Sequence, residues 1–280
     1  YLQLMAAAVD AQGAIAAALP PETFNLPPAA DIKLSIDHNM PPLPVNGVRS
    51  PEWRTVFGAL LDHLETSVKD QPQIHAVLAE LRALDVAQLE GCADAVLAEL
   101  TEGVHPLHAP FVAAALQVMW TRRAAQLDSP RVQPLVTNTL CPVCGSHPVA
   151  SVIRIGGQSQ GYRYLQCSCC ASEWHMVRVK CSCCEHTGKI AYQSLETNDD
   201  KLPVEDATDA KANKANDPSK VARAETCEDC KTYRKIFNQE HDFNVEPLAD
   251  DLASLTLDVL VSEAGYARAS GNPLLWFNAA

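Results

Sequence analysis

Residues 167–184 read CSCCASEWHMVRVKCSCC, so the string C-S-C-C occurs twice, once at position 167 and once at position 181. The chain has 11 cysteines in 280 residues, and all but Cys92 lie between positions 141 and 230. A C-x-x-C pair points two sulfurs at one metal ion, and two pairs supply a tetrahedral four-thiolate site. The spacing therefore predicts metal sites rather than the disulfide framework of a small secreted domain. The four pairs are Cys141/Cys144, Cys167/Cys170, Cys181/Cys184 and Cys227/Cys230.

We expect the pairs to combine in chain order, 141/144 with 167/170 and 181/184 with 227/230, and interleaved pairing is the alternative. Each combination would form a zinc-ribbon or rubredoxin-like module, repeated in tandem. Zinc and iron both accept four thiolates, so spacing alone leaves the metal open. Zinc would be purely structural, whereas iron would add one-electron chemistry. Nearby cations are expected to offset the charge of the thiolates: Arg154, Arg163, Arg178, Lys180 and Lys189.

Several cysteines and histidines fall outside this pattern. The cysteines are Cys92, Cys169 and Cys183, and the histidines are His105, His108, His147 and His175. We interpret the cysteines as small apolar fillers or spare thiols; the alternative is a redox-active thiol that exchanges with a ligand. With eight paired cysteines available, the histidines are expected to be ordinary turn, loop or strand residues.

The residue pattern of the chain changes near Pro134. Before it, apolar residues recur at helical spacing, as in residues 50–69, where Ser50 is the expected N-cap and Pro51 the first helical residue. Pro72 is expected to open the next helix. Residues 1–136 are therefore predicted to form a helical bundle.

The second half alternates short β-branched runs with cysteine pairs. VASVIRI, YRYLQC, EWHMVRV and GKIAYQSL read as strands, and GGQSQG (156–161) as a hairpin connection. The polar stretch 196–220 reads as a loop or insertion, and helices are expected after Cys230. The predicted fold class is α+β. We expect a helical domain (1–136), two metal modules (137–179 and 180–245, the second with the charged loop) and a C-terminal helical tail (246–280).

Charge and composition narrow the function. The formal net charge of −12 disfavours nucleic acid and anionic membranes as partners. No apolar run is long enough to span a bilayer. Thiol pairs that bind metal are typical of a reducing compartment, so the cytoplasm is the expected location. The sequence shows no phosphate loop, GxGxxG, nucleophile elbow or HExxH, so we do not expect an enzyme.

Residues 138–276 closely resemble the formate dehydrogenase accessory protein family, FdhE. The resemblance rests on CPVCGSHPVASVIR, GYRYLQCSCCASEWHMVRVKCSCC, ETCEDCKTY and PLADDLASLTLDVLVSEAGYARASGNPLL. It implies a cytoplasmic factor that binds the catalytic subunit of a molybdenum or tungsten formate dehydrogenase during maturation. It also implies iron in rubredoxin-type sites, with zinc as the alternative, and carries the eight paired cysteines over one by one as ligands.

Three functional hypotheses follow. The first is an assembly factor in which a groove between the helical domain and the ribbons binds the client, while the metals hold the shape of that groove. The second is a rubredoxin-like electron-transfer protein. The third, a zinc-ribbon protein that binds nucleic acid, is disfavoured by the net charge of −12.

Overall fold

The computed structural model describes residues 1–68, 71–100, 102–128, 131–156, 160–195 and 218–275. The predicted polar loop falls mostly outside these ranges, as do the centre of the predicted hairpin connection and the last five residues. The helices are α1 (Leu2–Ala18), α2 (Ala29–Asp37), α3 (Trp53–Ser67), α4 (Pro72–Ala83), α5 (Val86–Leu97), α6 (Ala109–Ala124), α7 (Pro218–Val221), α8 (Pro247–Ala253) and α9 (Leu255–Glu263). The strands are β1 (Pro148–Ile153), β2 (Arg163–Cys167), β3 (Glu173–His175), β4 (Ile190–Gln193), β5 (Ala222–Cys227), β6 (Thr232–Asn238) and β7 (Ala267–Arg268). Within the described ranges, no helix combines the length and apolar character needed to cross a membrane.

Helix α6 is the centre of the helical half. Its sequence, APFVAAALQVMWTRRA, is alanine-rich and apolar on every side, and 13 of its 16 residues are buried. A helix that is apolar all round must be surrounded by other elements, and α1, α3 and α5 pack against it. The predicted α+β class, with its helical N-terminal domain, is therefore confirmed.

One seven-stranded sheet runs through both cysteine-rich modules in the described part of the chain. Its order is β3-β2-β1-β6-β5-β4, and β7 also pairs with β6. The join between the modules is the parallel pairing of β1 with β6, in which Ser151 lies opposite Ile236. The two modules, which follow one another in sequence, are thus joined into one sheet by backbone hydrogen bonds.

The predicted start of α3 is wrong. The helix begins at Trp53 with Glu52 at the N-cap position and no side-chain capping bond. The Ser50 hydroxyl donates instead to the Glu52 carboxylate, and the Trp53 amide donates to the Ser50 carbonyl at 3.3 Å. These bonds close a turn before the helix. Helix α4 begins at Pro72, as predicted.

The sequence predicted helices after Cys230 but no strand between that residue and the helical tail. The chain forms β6 there, and Arg234 and Lys235 of this strand are both buried. The Lys235 ammonium lies 3.0 Å from Asp251 and 2.6 Å from Asp258. These partners lie on α8 and α9, later in the chain. The sequence around β6 therefore looks like a charged, exposed segment, although β6 is a central strand of the sheet. The predicted helical tail follows as α8 and α9, which break at Ser254, and then ends in β7.

The helical domain and the first module share one continuous apolar core. A proline-rich strap, residues 41–45, joins them: the Leu43 and Val45 amides donate to the Val143 and Cys144 carbonyls, each at 3.0 Å. The Trp120 indole N–H of α6 donates to the Leu43 carbonyl at 3.0 Å. The first cysteine pair is therefore held by the helical domain as well as by its own module.

The modules are also locked together by a buried ion pair. Arg163 of β2 donates to the Glu225 carboxylate of β5, and their side chains are 0% and 3% exposed. The same guanidinium donates at 2.7 Å to the Val177 and Lys180 carbonyls in the link between the modules. Removing one partner of such a pair leaves an uncompensated buried charge.

We predict that Glu225→Gln lowers the free energy of unfolding by about 3–5 kcal/mol. Arg82→Gln, which removes an exposed cation from its pairs with Asp62 and Glu65, is the control and is expected to cost less than about 1 kcal/mol. Urea unfolding of the metal-loaded protein measures both. A Glu225→Gln loss no larger than that of the control would show that the pair does not lock the modules.

Candidate metal centres

Four sulfurs of the first module meet in the protein interior. Cys141, Cys144, Cys167 and Cys170 place their Sγ atoms within 4.8 Å of one another, and each is at most 2% exposed. The distance is 3.5 Å between the sulfurs of Cys141 and Cys170, and 3.4 Å between those of Cys144 and Cys167. A disulfide would need roughly 2.05 Å, whereas a tetrahedron of 2.3 Å metal–sulfur bonds has edges of about 3.8 Å. The donors and their spacing fit a divalent, thiophilic metal.

Four sulfurs of the second module form an equivalent group that is less deeply buried. Cys181, Cys184, Cys227 and Cys230 also lie within 4.8 Å of one another. The sulfur of Cys181 is 3.7 Å from that of Cys230, and the Cys184 sulfur is 3.8 Å from that of Cys227. Cys184 and Cys230 are only partly buried. The chain-order grouping predicted from the sequence is thus what the structure shows.

All four cysteine pairs share one backbone turn. The residue after the second cysteine has a positive φ in each: 82° at Gly145, 57° at Ala171, 60° at Glu185 and 54° at Lys231. Only the first is glycine, so the other three adopt a conformation that costs an L-residue about 1–2 kcal/mol. The turn directs amides at sulfur: the Cys169 amide lies 3.3 Å from the Cys167 sulfur, and the Cys183 amide lies 3.3 Å from that of Cys181.

Hydroxyl groups two residues after the second cysteine also face the sulfurs. Ser146 Oγ lies 3.4 Å from the Cys144 sulfur, Ser172 Oγ 3.2 Å from that of Cys170, and Thr232 Oγ1 3.0 Å from that of Cys230. A metal-bound thiolate can only accept, so the hydroxyl would be the donor in the loaded site. Sequence reasoning missed these groups, although the repeated C-x-[S/T] spacing is a usable signal.

The sulfurs do not titrate alike. Burial opposes ionisation of Cys144, but hydrogen bonds from the neighbouring thiols hold its pKa well below the usual range. Burial raises the pKa of Cys141, of Cys167 and of Cys181. At Cys230 burial also raises the pKa, but the hydrogen bonds from Thr232, Cys184 and Cys227 together outweigh it and lower the pKa to about 7. Without metal Cys141, Cys167 and Cys181 therefore keep their protons at neutral pH, and metal binding must expel them.

The cations predicted to offset the thiolates are largely engaged elsewhere. Arg154 pairs with Glu173, Arg163 with Glu225, and Lys189 with Asp229 at 3.0 Å; Arg178 is exposed. Arg154 and Arg163 are thus paired with carboxylates, whereas Lys189 also interacts electrostatically with the Cys227 sulfur.

Arg234, which sequence reasoning missed, is fully enclosed beside the second group. Its Nε donates to the Ser182 hydroxyl at 2.9 Å, inside the C-S-C-C turn, and its Nη1 donates to the Pro148 carbonyl of β1. Burial lowers the pKa of Arg234 to about 10, against the opposing influence of the Cys183 and Cys181 sulfurs. This cation therefore lies beside the second group and ties it to the first module.

The remaining candidates stay outside both groups. Cys169 is buried and Cys183 exposed, and Cys92 lies in α5, where burial raises its pKa. The His175 ring centroid lies 5.3 Å from that of Tyr162, and the His105 ring 5.1 Å from that of His108. His147 contacts Glu99 at 3.0 Å. In the described ranges, none of these side chains belongs to a group able to hold a metal.

The doubled C-S-C-C string provides a matched test of the ligands. We predict that Cys167→Ser and Cys184→Ser each reduce the metal content of the purified protein from two ions per chain to one. Cys169→Ser and Cys183→Ser make the same chemical change inside the same turns and should retain two. Elemental analysis and native mass spectrometry measure the content. Loss of an ion in either control would contradict the assignment.

The contact between His147 and Glu99 makes a small part of the stability pH-dependent. The hydrogen bond to Glu99 raises the pKa of His147 above its usual 6.5, although burial and Arg234 oppose it. A raised pKa stabilises the fold below pH 6.5, and this stabilisation is lost as pH rises through the folded-state value. Both side chains are about half exposed, so solvent screens the effect.

We expect Glu99→Gln to lower the free energy of unfolding by about 0.2–1 kcal/mol at pH 5.5 and by nothing measurable at pH 9. Urea unfolding at both values measures it, and an equal cost at both would contradict the ionic origin.

Three family models of FdhE together match almost the whole chain. They are the N-terminal model over residues 1–137, the central domain over 140–178 and the C-terminal domain over 179–275. The boundary between the central and C-terminal models falls between the two four-cysteine groups.

Individual relatives agree with the models. The Protein FdhE homolog of Pseudomonas aeruginosa is 40% identical over 276 residues, which cover 98% of this chain and 83% of that protein. Protein FdhE of Escherichia coli K12 is 38% identical over 249 residues, 88% of this chain and 73% of that protein. The crystal structure of the FdhE protein from Pseudomonas aeruginosa superposes with a TM-score of 0.74 at 36% identity, covering 98% of this chain and 87% of that one. With matches of this extent in sequence and in fold, the chain belongs to the FdhE family.

Proposed function

We propose that the protein is a cytoplasmic, non-enzymatic accessory factor for the maturation of a molybdenum- or tungsten-containing formate dehydrogenase. In this proposal it binds the catalytic subunit of its client through the helical platform (1–136) and the two metal modules (137–179 and 180–245). The tail (246–280) clamps the second module. The observation that carries the proposal is membership of the FdhE family over nearly the full chain, together with both four-cysteine groups.

We further propose that the eight cysteines of the two groups are the metal ligands, with iron favoured and zinc as the alternative. Bound metal supplies a tetrahedral cross-link, and iron would add a one-electron couple. The first group supports a structural role because its turns are fastened to the helical domain. The Gln117 amide of α6 donates to the Ser168 carbonyl at 2.7 Å, and the strap holds Val143 and Cys144. Loss of metal there would release both fastenings.

A cavity at this junction is the proposed client groove. Its volume is about 260 Å³, and it lies between α5, α6, the first group and residues 271–275. Its wall is mainly apolar, with the Glu99 carboxylate and the Cys169 thiol among its few polar groups. Because one wall is made of the cysteine turns, a metal that holds those turns also holds the shape of the groove.

An electron-transfer function of rubredoxin type is the second candidate. It is favoured by the partial exposure of Cys184 and Cys230, because an electron carrier needs a sulfur near the surface. The buried first group and the large helical domain have no part in that function. An iron centre at the second site with a reversible one-electron couple would support it.

Affinity capture of the metal-loaded protein, under nitrogen, from its own cells growing with formate tests the proposal. We expect the formate dehydrogenase catalytic subunit to co-purify and to be identified by mass spectrometry. The Cys141→Ala/Cys144→Ala variant should lose the client, because the first module loses its cross-link.

Cys183→Ser is the matched control and should capture as much client as the unmodified protein. Recovery of a reductase without any dehydrogenase would contradict the assembly-factor proposal and favour the electron carrier. Client capture by the metal-free double variant would show that the first metal does not hold the groove.

A further inference from the structure

Arg123 is a buried cation with no counter-ion among the residues that the structure describes. It lies in the last turn of α6 and is 7% exposed. In the described ranges its Nε has no hydrogen-bond partner, and no carboxylate there interacts with its charge, so burial alone lowers the pKa of the guanidinium. Buried charges in proteins are normally paired. The guanidinium remains protonated at neutral pH, so a charge is held there with no ionic partner in the described part of the chain.

The guanidinium lines a cavity of about 520 Å³ in the helical half. This cavity is separate from the proposed client groove. Its walls are largely apolar and include the proline-rich segments on either side of α2: Leu26, Pro27, Pro28, Pro42, Leu43 and Pro44. A volume in this range suits a small organic ligand or the end of a peptide. An apolar cavity with one charged group at its wall matches a ligand with an apolar body and one charged end.

The other charges of the cavity decide which anion fits. Arg49 also lines it, but its guanidinium is neutralised by Glu90 at 2.5 Å and Asp94 at 2.8 Å. The exposed Asp31 carboxylate forms part of the wall and repels anions. With a single unpaired cation in the described wall and a carboxylate beside it, an anion of more than one charge is poorly compensated, so a bound anion is expected to be a monoanion. Phosphate carries between one and two charges at neutral pH and is disfavoured, whereas a carboxylate matches the planar guanidinium in geometry and charge.

We propose that this cavity is a binding site for a carboxylate on an apolar body, anchored by Arg123. The source is either a free organic acid or the carboxylate of a peptide, since both present the same chemistry. The proposal does not rest on the function proposed above.

The site also has a physical connection to the first metal group. Its wall includes Pro42, Leu43 and Pro44 of the strap, and the strap donates hydrogen bonds to the Val143 and Cys144 carbonyls. A bound ligand would therefore pack directly against the segment that holds the first cysteine pair.

Calorimetric titration of the metal-loaded full chain tests the site with N-acetyl-L-leucine, N-acetyl-L-leucinamide, 4-methylvalerate and inorganic phosphate. We expect the two carboxylates to bind, and the neutral amide and phosphate to bind at least about tenfold more weakly. Tighter binding of N-acetyl-L-leucine than of 4-methylvalerate identifies a peptide carboxylate, and the reverse order identifies a free acid. Equal binding of the amide, or tighter binding of phosphate, would overturn the proposal.

Variants of the charged groups give a second test. Arg123→Gln should weaken carboxylate binding by about tenfold or more, Asp31→Asn should strengthen it, and Arg131→Gln, an equal charge change at an exposed position, should leave it unchanged. Arg123→Met should keep or raise the melting temperature of the ligand-free protein, because it removes an uncompensated buried charge. A marked fall in melting temperature would reveal an internal partner for Arg123 and overturn the proposal.

Discussion

The rest of the structure depends on four sulfurs that meet where water cannot reach them. Four thiolates in that position would carry four negative charges into the apolar core that the helical domain and the first module share. Coulomb repulsion at sulfur–sulfur distances of 3.4–3.5 Å is severe in a low dielectric. A divalent metal removes two of those charges, and amides and hydroxyls aimed at sulfur spread the remainder. The turns that bear these sulfurs are also hydrogen-bonded to the strap and to α6. The charge balance at this site therefore bears on the stability of the junction between the helical domain and the first module.

The two groups have the same donor set but differ in burial, so we expect a metal bound at the first to behave differently from one bound at the second. The first is enclosed on every side, so its metal would exchange slowly and act as a cross-link. The second has two partly exposed sulfurs, a thiol whose pKa is lowered to about 7 and a buried arginine beside it. Those conditions favour exchange with solvent or electron transfer. The parallel β1–β6 pairing and Arg234 connect the two groups through backbone and side chain.

The sequence predicted what is encoded locally and missed what depends on distant partners. Cysteine spacing identified both groups because the two sulfurs of a pair lie within one turn. The strands of the first module were found because they are short runs rich in β-branched and aromatic residues next to cysteine pairs. Strand β6 was missed because Lys235 is stabilised by Asp251 and Asp258, from a later part of the chain. The α3 cap was misplaced for a related reason: the Ser50 hydroxyl bonds to the Glu52 side chain rather than to a helix amide.

The partners of the buried cations are the most informative feature that could not be predicted from the sequence. Arg163 has a carboxylate and three carbonyls, Lys235 has two carboxylates, and Arg234 has two hydroxyls and a carbonyl. Each lies at an interface between modules or between sheet and tail, and its partners come from across that interface. Arg123 is equally deep, but faces a cavity instead of a second element. Where this fold buries a positive charge to join two of its own parts, it provides the acceptor; at Arg123 the described residues provide none for Nε, and the ligand proposed above would supply it.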